Sequence, residues 1–142
     1  MNYINNFIII DDDKVNNKVC TKILEQMYPK AGIVDFLEAR KGLDYIAEKF
    51  TQNENERAVL LLDIIMPVMN AWDFLEEFEK LSESIKSRIK IYILSSSVDK
   101  NDMAKAHANK YVEYYLIKPL TKESIHLIVH VLEKRLAAAG SK

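Results

Sequence analysis

The sequence predicts an α/β protein with a doubly wound, five-stranded parallel sheet and helices on both faces. Short continuous apolar runs alternate along the chain with segments in which apolar residues recur every three or four positions. This alternation occurs five times, and the connecting segments are short. Because each parallel connection must cross over the sheet, usually through a helix, such an alternation indicates a parallel sheet.

Continuous apolar runs are typical of strands that are buried on both faces of a sheet. The three strongest runs cover residues 7–10, 59–62 and 91–94, and they predict the first, third and fourth strands. Weaker runs at residues 33–37 and 112–117 predict the second and the fifth strand.

Helical periodicity fills the segments between the predicted strands. Residues 43–50 and 74–81 carry apolar side chains three and four positions apart, which places them on one face of a helix. The first and last helices have longer apolar stripes, formed by Val19, Cys20, Ile23, Leu24 and Met27 and by Ile125, Ile128, Val129, Leu132 and Leu136. The fourth helix, at residues 99–110, has the weakest pattern because its apolar residues are only Met103 and alanines.

Length, charge and cysteine content narrow the class of protein. A chain of 142 residues fits one domain and can bury a core without a disulfide or a metal. The net charge of −1 gives no general attraction to nucleic acid or to an anionic membrane. Cys20 is the only cysteine, which excludes an intramolecular disulfide and favours a reducing compartment. Since no segment resembles a signal peptide or a membrane span, we predict a cytoplasmic protein without nucleic-acid or membrane partners.

Polar residues follow four of the five predicted strands. An open parallel sheet binds its ligands beyond the carboxyl ends of its strands, so these residues are expected at one edge. They are Asp11, Asp12 and Asp13 after the first strand, Asp63 after the third, Ser95 after the fourth, and Lys118 with Pro119 after the fifth. Asp13 is also expected to cap the first helix.

Such a cluster suits phosphoryl chemistry. Carboxylates a few ångströms apart repel one another, and a hard cation with oxygen ligands, such as Mg²⁺, relieves that repulsion. Magnesium alone does not require a lysine and a serine, whereas a phosphoryl group needs cationic and hydrogen-bond-donating partners. Asp63 is the best candidate nucleophile because it stands alone after the most apolar central strand.

Four motifs resemble the receiver domain of two-component response regulators, in the same order and at similar spacing. They are Ile10-Asp11-Asp12, Asp63-x-x-Met66-Pro67, Leu94-Ser95-Ser96 and Tyr115-x-x-Lys118-Pro119. The resemblance covers residues 4–136 and implies the flavodoxin-like (βα)5 fold. We therefore predict a receiver domain at residues 1–137, and the small and polar end of the chain predicts a flexible tail at 138–142.

The resemblance implies a role for each residue of these motifs. Asp12 and Asp63 would bind magnesium directly, Asp11 would act through water, and Ile65 would contribute its backbone carbonyl. Asp63 would accept the phosphoryl group in a self-catalysed reaction rather than in enzymatic turnover. Ser95 and Lys118 would bind the phosphoryl oxygens, and Ser95 and Tyr115 would form the conformational switch.

The resemblance also implies protein partners. A sensor histidine kinase or a histidine phosphotransfer protein would donate the phosphoryl group, and a downstream protein would read the signal. Leu127 and Val131 lie one turn apart and point away from the apolar stripe of the last helix. We therefore predict that they form the partner surface.

One motif position departs from the family pattern. Asn70-Ala71 stands where the family usually has Asp-Gly, and Asn70 is still expected to cap the third helix.

Two alternative functions remain open at the level of the sequence. The segment Asp11 to Val15 also resembles the Asp-x-Asp-x-Val nucleophile motif of haloacid-dehalogenase-like phosphatases, with Asp11 as nucleophile. That family places an acidic pair after the lysine, whereas here only Glu123 and Glu133 follow, and Asp63 is left unexplained. A receiver-like binding module that no longer accepts phosphate is the second alternative, although every residue needed for phosphorylation is present.

Overall fold

The computed structural model describes residues 4–140 and has the predicted architecture. The five strands are β1 (Asn6–Ile10), β2 (Gly32–Phe36), β3 (Ala58–Leu62), β4 (Ile89–Ser95) and β5 (Val112–Ile117). The helices are α1 (Lys14–Met27), α2 (Ala39–Gln52), α3 (Ala71–Glu79), α4 (Glu83–Lys86), α5 (Lys100–Ala108) and α6 (Lys122–Gly140). Within residues 4–140, no helix has the length and apolar character needed to cross a membrane.

All neighbouring strands are parallel, and their order in the sheet is β2-β1-β3-β4-β5. The register pairs Ile10 of β1 with Leu62 of β3, and Leu62 with Ile93 of β4. The central strands therefore end side by side, and the residues that follow β1 and β3 emerge next to each other. The predicted fold class is confirmed.

The sheet separates two apolar cores. Alternate residues of β1 face opposite sides, so Ile8 and Ile10 pack with α2, α3 and α5, whereas Phe7 and Ile9 pack with α1 and α6. Every residue of β1 and β3 is buried. This two-sided burial explains the continuous apolar runs of the central strands.

Three features of the helices differ from the sequence prediction. Helix α4 was not predicted, because four residues are too short to show a periodicity. Val19 was assigned to the buried stripe of α1 but is 45% exposed, since α1 buries the face formed by Asn17, Cys20 and Leu24. Helix α6 continues to Gly140, three residues into the segment expected to form a flexible tail. Residues 141–142 lie outside the described part of the chain, as does the side chain of Leu136.

Both predicted helix caps are present. Asp13 accepts hydrogen bonds from the backbone N–H groups of Val15 and Asn16 at the start of α1. Asn70 and Asp73 form a reciprocal capping box at the start of α3. The replacement of the usual glycine by Ala71 needs no unusual backbone, because the positive φ of this loop, 69°, falls on Val68 instead.

Candidate functional site

The carboxyl edge of the sheet brings Asp11, Asp12 and Asp63 together. The Asp63 backbone N–H donates to the carbonyl of Ile10 at 2.9 Å, which fixes the start of the β3–α3 loop beside the end of β1. One carboxylate oxygen from each of the three aspartates lies within 4.8 Å of the others. The convergence predicted for these three residues is thus observed.

Asp11 is held by contacts to both of its carboxylate oxygens, and it is only 2% exposed. Oδ1 accepts the backbone N–H of Asp13 at 2.9 Å. Oδ2 accepts the Asn16 side-chain amide at 2.9 Å and lies 2.7 Å from Nζ of Lys118. Asp11 is therefore oriented and charge-neutralised before any ligand binds.

Asp63 is less completely neutralised than Asp11. Its Oδ1 lies 3.7 Å from Nζ of Lys118, beyond hydrogen-bond distance. Burial and then the charge of Asp11 raise the pKa of the Asp63 carboxyl to about 6, against the opposing influences of Lys118 and the Ile64 backbone N–H. The carboxylate is thus a destabilised anion that favours a proton, a cation or a covalent bond.

The acidic cluster has the donor chemistry of a magnesium site. Its carboxylate oxygens are hard ligands, and magnesium typically takes one or two carboxylates together with water and phosphate oxygens. Asp12 is exposed, which leaves its carboxylate accessible at the surface of the cluster. Burial and then the negative charge of Asp11 raise the pKa of Asp63, and the charge of Lys118 does not offset these two effects. The residues present therefore fit the ion.

Ser95 and Lys118 lie together at the ends of β4 and β5. The Lys118 backbone N–H donates to the Ser95 carbonyl at 2.9 Å, and the Lys118–Pro119 peptide bond is cis. Ser95 is 3% exposed, and its hydroxyl oxygen accepts the Ser97 backbone N–H at 3.1 Å. These contacts position the hydroxyl and the ammonium group on the same edge as the aspartates.

Tyr115 occupies an inward position. Its hydroxyl donates to the Ser97 carbonyl at 2.8 Å, and its half-buried ring packs against the core beside α5. In the structure the ring of Tyr115, which is expected to take part in the conformational switch, reaches the β4–α5 loop. Tyr115 is thus linked to the loop that directly follows Ser95, and its role in the switch stays a prediction.

Asn16 and Asn17 contribute to the site but were missed in the sequence. Asn16 donates to the Asp11 carboxylate, and Asn17, only 1% exposed, donates to the Asp11 carbonyl at 3.0 Å. Because consecutive residues of a helix point in different directions, Asn16 contacts the side chain of Asp11 and Asn17 contacts its backbone. The sequence did contain a signal for this role, because both asparagines lie in the first turn of α1, which begins directly after the aspartates.

Leu127 and Val131 are exposed, as predicted, at 63% and 37%. With Tyr92, Tyr114 and the ion-paired Glu113 and Arg135, they line a shallow cleft of about 310 Å³ between β5 and α6. Their role in partner binding is not tested by this geometry.

Residues 7–130 match the family model described as response regulator receiver domain. The chain is similar to the response regulator receiver protein of Dyadobacter fermentans, with 29% identity, 91% and 95% coverage of the two chains and a TM-score of 0.77. A two-component response regulator from Cytophaga hutchinsonii shares 27% identity with coverage of 92% and 98% and a TM-score of 0.83.

Curated relatives are longer proteins. Stress response regulator protein 1 of Lodderomyces elongisporus is 26% identical over 91% of this chain, which spans 34% of that protein. The peroxide stress-activated histidine kinase mak1 of Schizosaccharomyces pombe is 25% identical over 86% of this chain, which spans 7% of the kinase. The family match, the sheet order and the acidic edge agree, and the chain belongs to the response regulator receiver domain family.

Proposed function

We propose that this receiver accepts a phosphoryl group on Asp63 in a magnesium-dependent reaction. The observation that carries the proposal is the convergence of Asp63 with Asp11, Asp12 and Lys118 at the ends of β1, β3 and β5. Asp63 is the buried member of the cluster whose pKa is raised, first by burial and then by the charge of Asp11, whereas Asp11 is already held through both of its oxygens.

The reaction needs one bond to form and one to break. An Asp63 oxygen attacks the phosphorus atom, and the bond from phosphorus to the donor's histidine nitrogen, or to the acyl oxygen of acetyl phosphate, breaks with its electron pair. Lys118 and Ser95 bind oxygens of the transferred group. A magnesium ion bound by Asp12, Asp63, the Ile65 carbonyl and, through water, Asp11 would supply neutralisation of the negative charge.

Phosphorylation of Asp63 requires a protein that donates the phosphoryl group and a protein that responds to it. We infer that a histidine kinase or a histidine phosphotransfer protein donates the phosphoryl group in the cytoplasm. A downstream protein binds the cleft beside Leu127 and Val131. The hydrogen bond from Tyr115 to Ser97 supports a link between the acceptor site and that face.

The phosphatase alternative, with Asp11 as nucleophile, finds no support in the comparisons. Its geometry is also unfavourable, because Asp11 is 2% exposed and its Oδ2 contacts both Asn16 and Lys118. If Oδ2 of Asp11 attacked a phosphorus atom, it would have to give up its contacts with Asn16 and Lys118.

Labelling with radioactive acetyl phosphate tests the proposal. We expect incorporation in the presence of magnesium and none in excess EDTA, with Asp12→Asn strongly impaired. Asp13→Asn is the matched control, because an asparagine at this position still caps α1 and lies outside the cluster. Equal labelling with and without the chelator would refute the role of the metal, and equal labelling of all three proteins would refute the assigned cluster.

A further inference from the structure

We propose that His126 and His130 form a second metal site on α6, selective for a transition-metal dication such as Zn²⁺ or Cu²⁺. The two residues lie four positions apart on one helix, so they sit one above the other on the same face. Their rings are parallel, with an interplanar angle of 6° and centroids 6.0 Å apart.

Both imidazoles are available for a ligand. Each side chain is exposed, and within residues 4–140 neither ring has a hydrogen bond or an ion pair. The pair is thus not engaged in capping the helix or in neutralising an acidic side chain.

The spacing matches a known way of chelating a metal. Two histidines at i and i+4 on one helix face bind the same zinc ion in helical metal motifs. Four residues of helix rise about 6 Å, the separation seen between these rings. Zinc–nitrogen bonds are about 2 Å long, so ring nitrogens on one ion must approach to roughly 3 Å, which rotation of two exposed side chains permits.

The donor atoms decide which metals bind. Imidazole nitrogen suits zinc, copper and nickel, whereas magnesium prefers the oxygen ligands of the Asp11–Asp12–Asp63 cluster. The two sites should therefore load independently, each with its own class of ion. No third histidine, cysteine or acidic ligand converges on the pair within residues 4–140, so water or a partner's side chain completes the coordination.

The position of the pair places the metal site beside the proposed partner surface. His126 and His130 directly precede Leu127 and Val131, which lie at the cleft between β5 and α6. An ion bound there would lie at the edge of the surface that we assign to the downstream partner. The metal site itself does not depend on phosphorylation, so it can be tested separately.

The test uses the full chain with excess magnesium, which occupies the acidic cluster. Zinc binding is measured by isothermal titration calorimetry, and Cu²⁺ by electron paramagnetic resonance, whose nitrogen hyperfine splitting reports imidazole ligands. We expect one ion per chain in the wild type and loss of saturable binding in His126→Ala and in His130→Ala. Asp12→Asn should retain the zinc site.

Two double variants separate a true chelate from general histidine affinity. Combining His126→Ala with Lys134→His restores a pair four residues apart, at 130 and 134, on an exposed stretch of α6, and should restore binding. Combining His130→Ala with Lys134→His keeps two histidines but separates them by about 12 Å along the helix, and should not. Absence of binding in the wild type, unchanged binding in the single variants or equal binding in the two double variants would overturn the proposal.

Discussion

Nζ of Lys118 lies 2.7 Å from the Asp11 carboxylate, which makes Asp11 its closest partner in the site. Burial favours the neutral amine, but the hydrogen bond to Asp11 and the negative charges of Asp63 and Asp11 outweigh it and raise the pKa of Lys118. The lysine is therefore a fixed cation between two carboxylates, closer to Asp11 than to Asp63. A phosphoryl oxygen on Asp63 would give the ammonium group an anionic hydrogen-bond acceptor on the Asp63 side, where the carboxylate oxygen now lies 3.7 Å away.

Replacing Lys118 by alanine should impair phosphorylation more than folding. Loss of one preorganised cation or donor at a reacting oxygen typically costs about a hundredfold in rate, and we expect acetyl phosphate labelling to slow by that order. In this variant, the protection of the backbone amides of residues 95–99 against hydrogen exchange should also no longer change when beryllofluoride is added. Lys122→Ala, an exposed lysine of α6, is the control and should behave as wild type. A wild-type beryllofluoride response in Lys118→Ala would mean that the lysine is only a surface residue.

Asp63→Asn should stabilise the metal-free protein at neutral pH. The folded-state pKa of Asp63, about 6, lies above its ordinary value of 3.8, so the folded state loses stability as the pH rises through that interval. An uncharged isostere avoids this loss, and we expect a gain on the order of 3 kcal/mol at neutral pH. The gain should shrink as the pH falls below 6 and vanish below 3.8. Urea unfolding in EDTA measures it, and a gain that is independent of pH would contradict the explanation.

Replacing Asn16 should mainly affect phosphorylation, whereas replacing Asn17 should mainly affect stability. Asn17 is buried, with hydrogen bonds to the backbone carbonyls of Asp11 and Phe36, so Asn17→Ala should lower the free energy of unfolding by about 1–3 kcal/mol. Asn16→Ala removes the amide that orients the Asp11 carboxylate, and it should slow labelling with a smaller loss of stability. Urea unfolding and acetyl phosphate labelling of the same preparations give both quantities. The reverse pattern would show that Asn16 is structural.

The cleft beside Leu127 and Val131 should mediate partner binding. Leu127→Asp and Val131→Asp introduce charge into its apolar rim and should abolish capture of the partner that beryllofluoride-activated wild type retains from native extract. Asp is tolerated at exposed helical positions, so both variants should fold. His107→Asp, an exposed residue of α5 outside this cleft, serves as the charge control. Equal capture by all four proteins would exclude the cleft as the output surface.

The sequence predicted the fold because the burial of this sheet is strongly patterned. Strands buried on both faces produce continuous apolar runs, and β1 and β3 have no exposed residue. The edge strands β2 and β5 are half-exposed, and their signals were correspondingly weaker. The parallel register then places the ends of the strands together, so the meeting of Asp11 with Asp63 could be deduced without coordinates.

Interactions between distant parts of the chain could not be predicted. Arg88, only 8% exposed, donates to the backbone carbonyls of Phe50, Asn53, Glu56 and Ser84, and so ties the end of α2 to the segment before β4. No local pattern signals a contact across 38 residues. The contact of Asn16 with Asp11 is local, but it depends on side-chain direction as well as residue type, and the polar first turn of α1 was its only signal in the sequence.

The site of the covalent adduct tests the central claim most directly. Protein treated with acetyl phosphate and magnesium is analysed by intact mass, and the acyl phosphate is then located by borohydride reduction and peptide sequencing. We predict one phosphoryl group per chain, on the peptide that contains Asp63, and none in Asp63→Asn. An adduct that persists in Asp63→Asn and disappears in Asp11→Asn would contradict the assignment and make Asp11 the nucleophile.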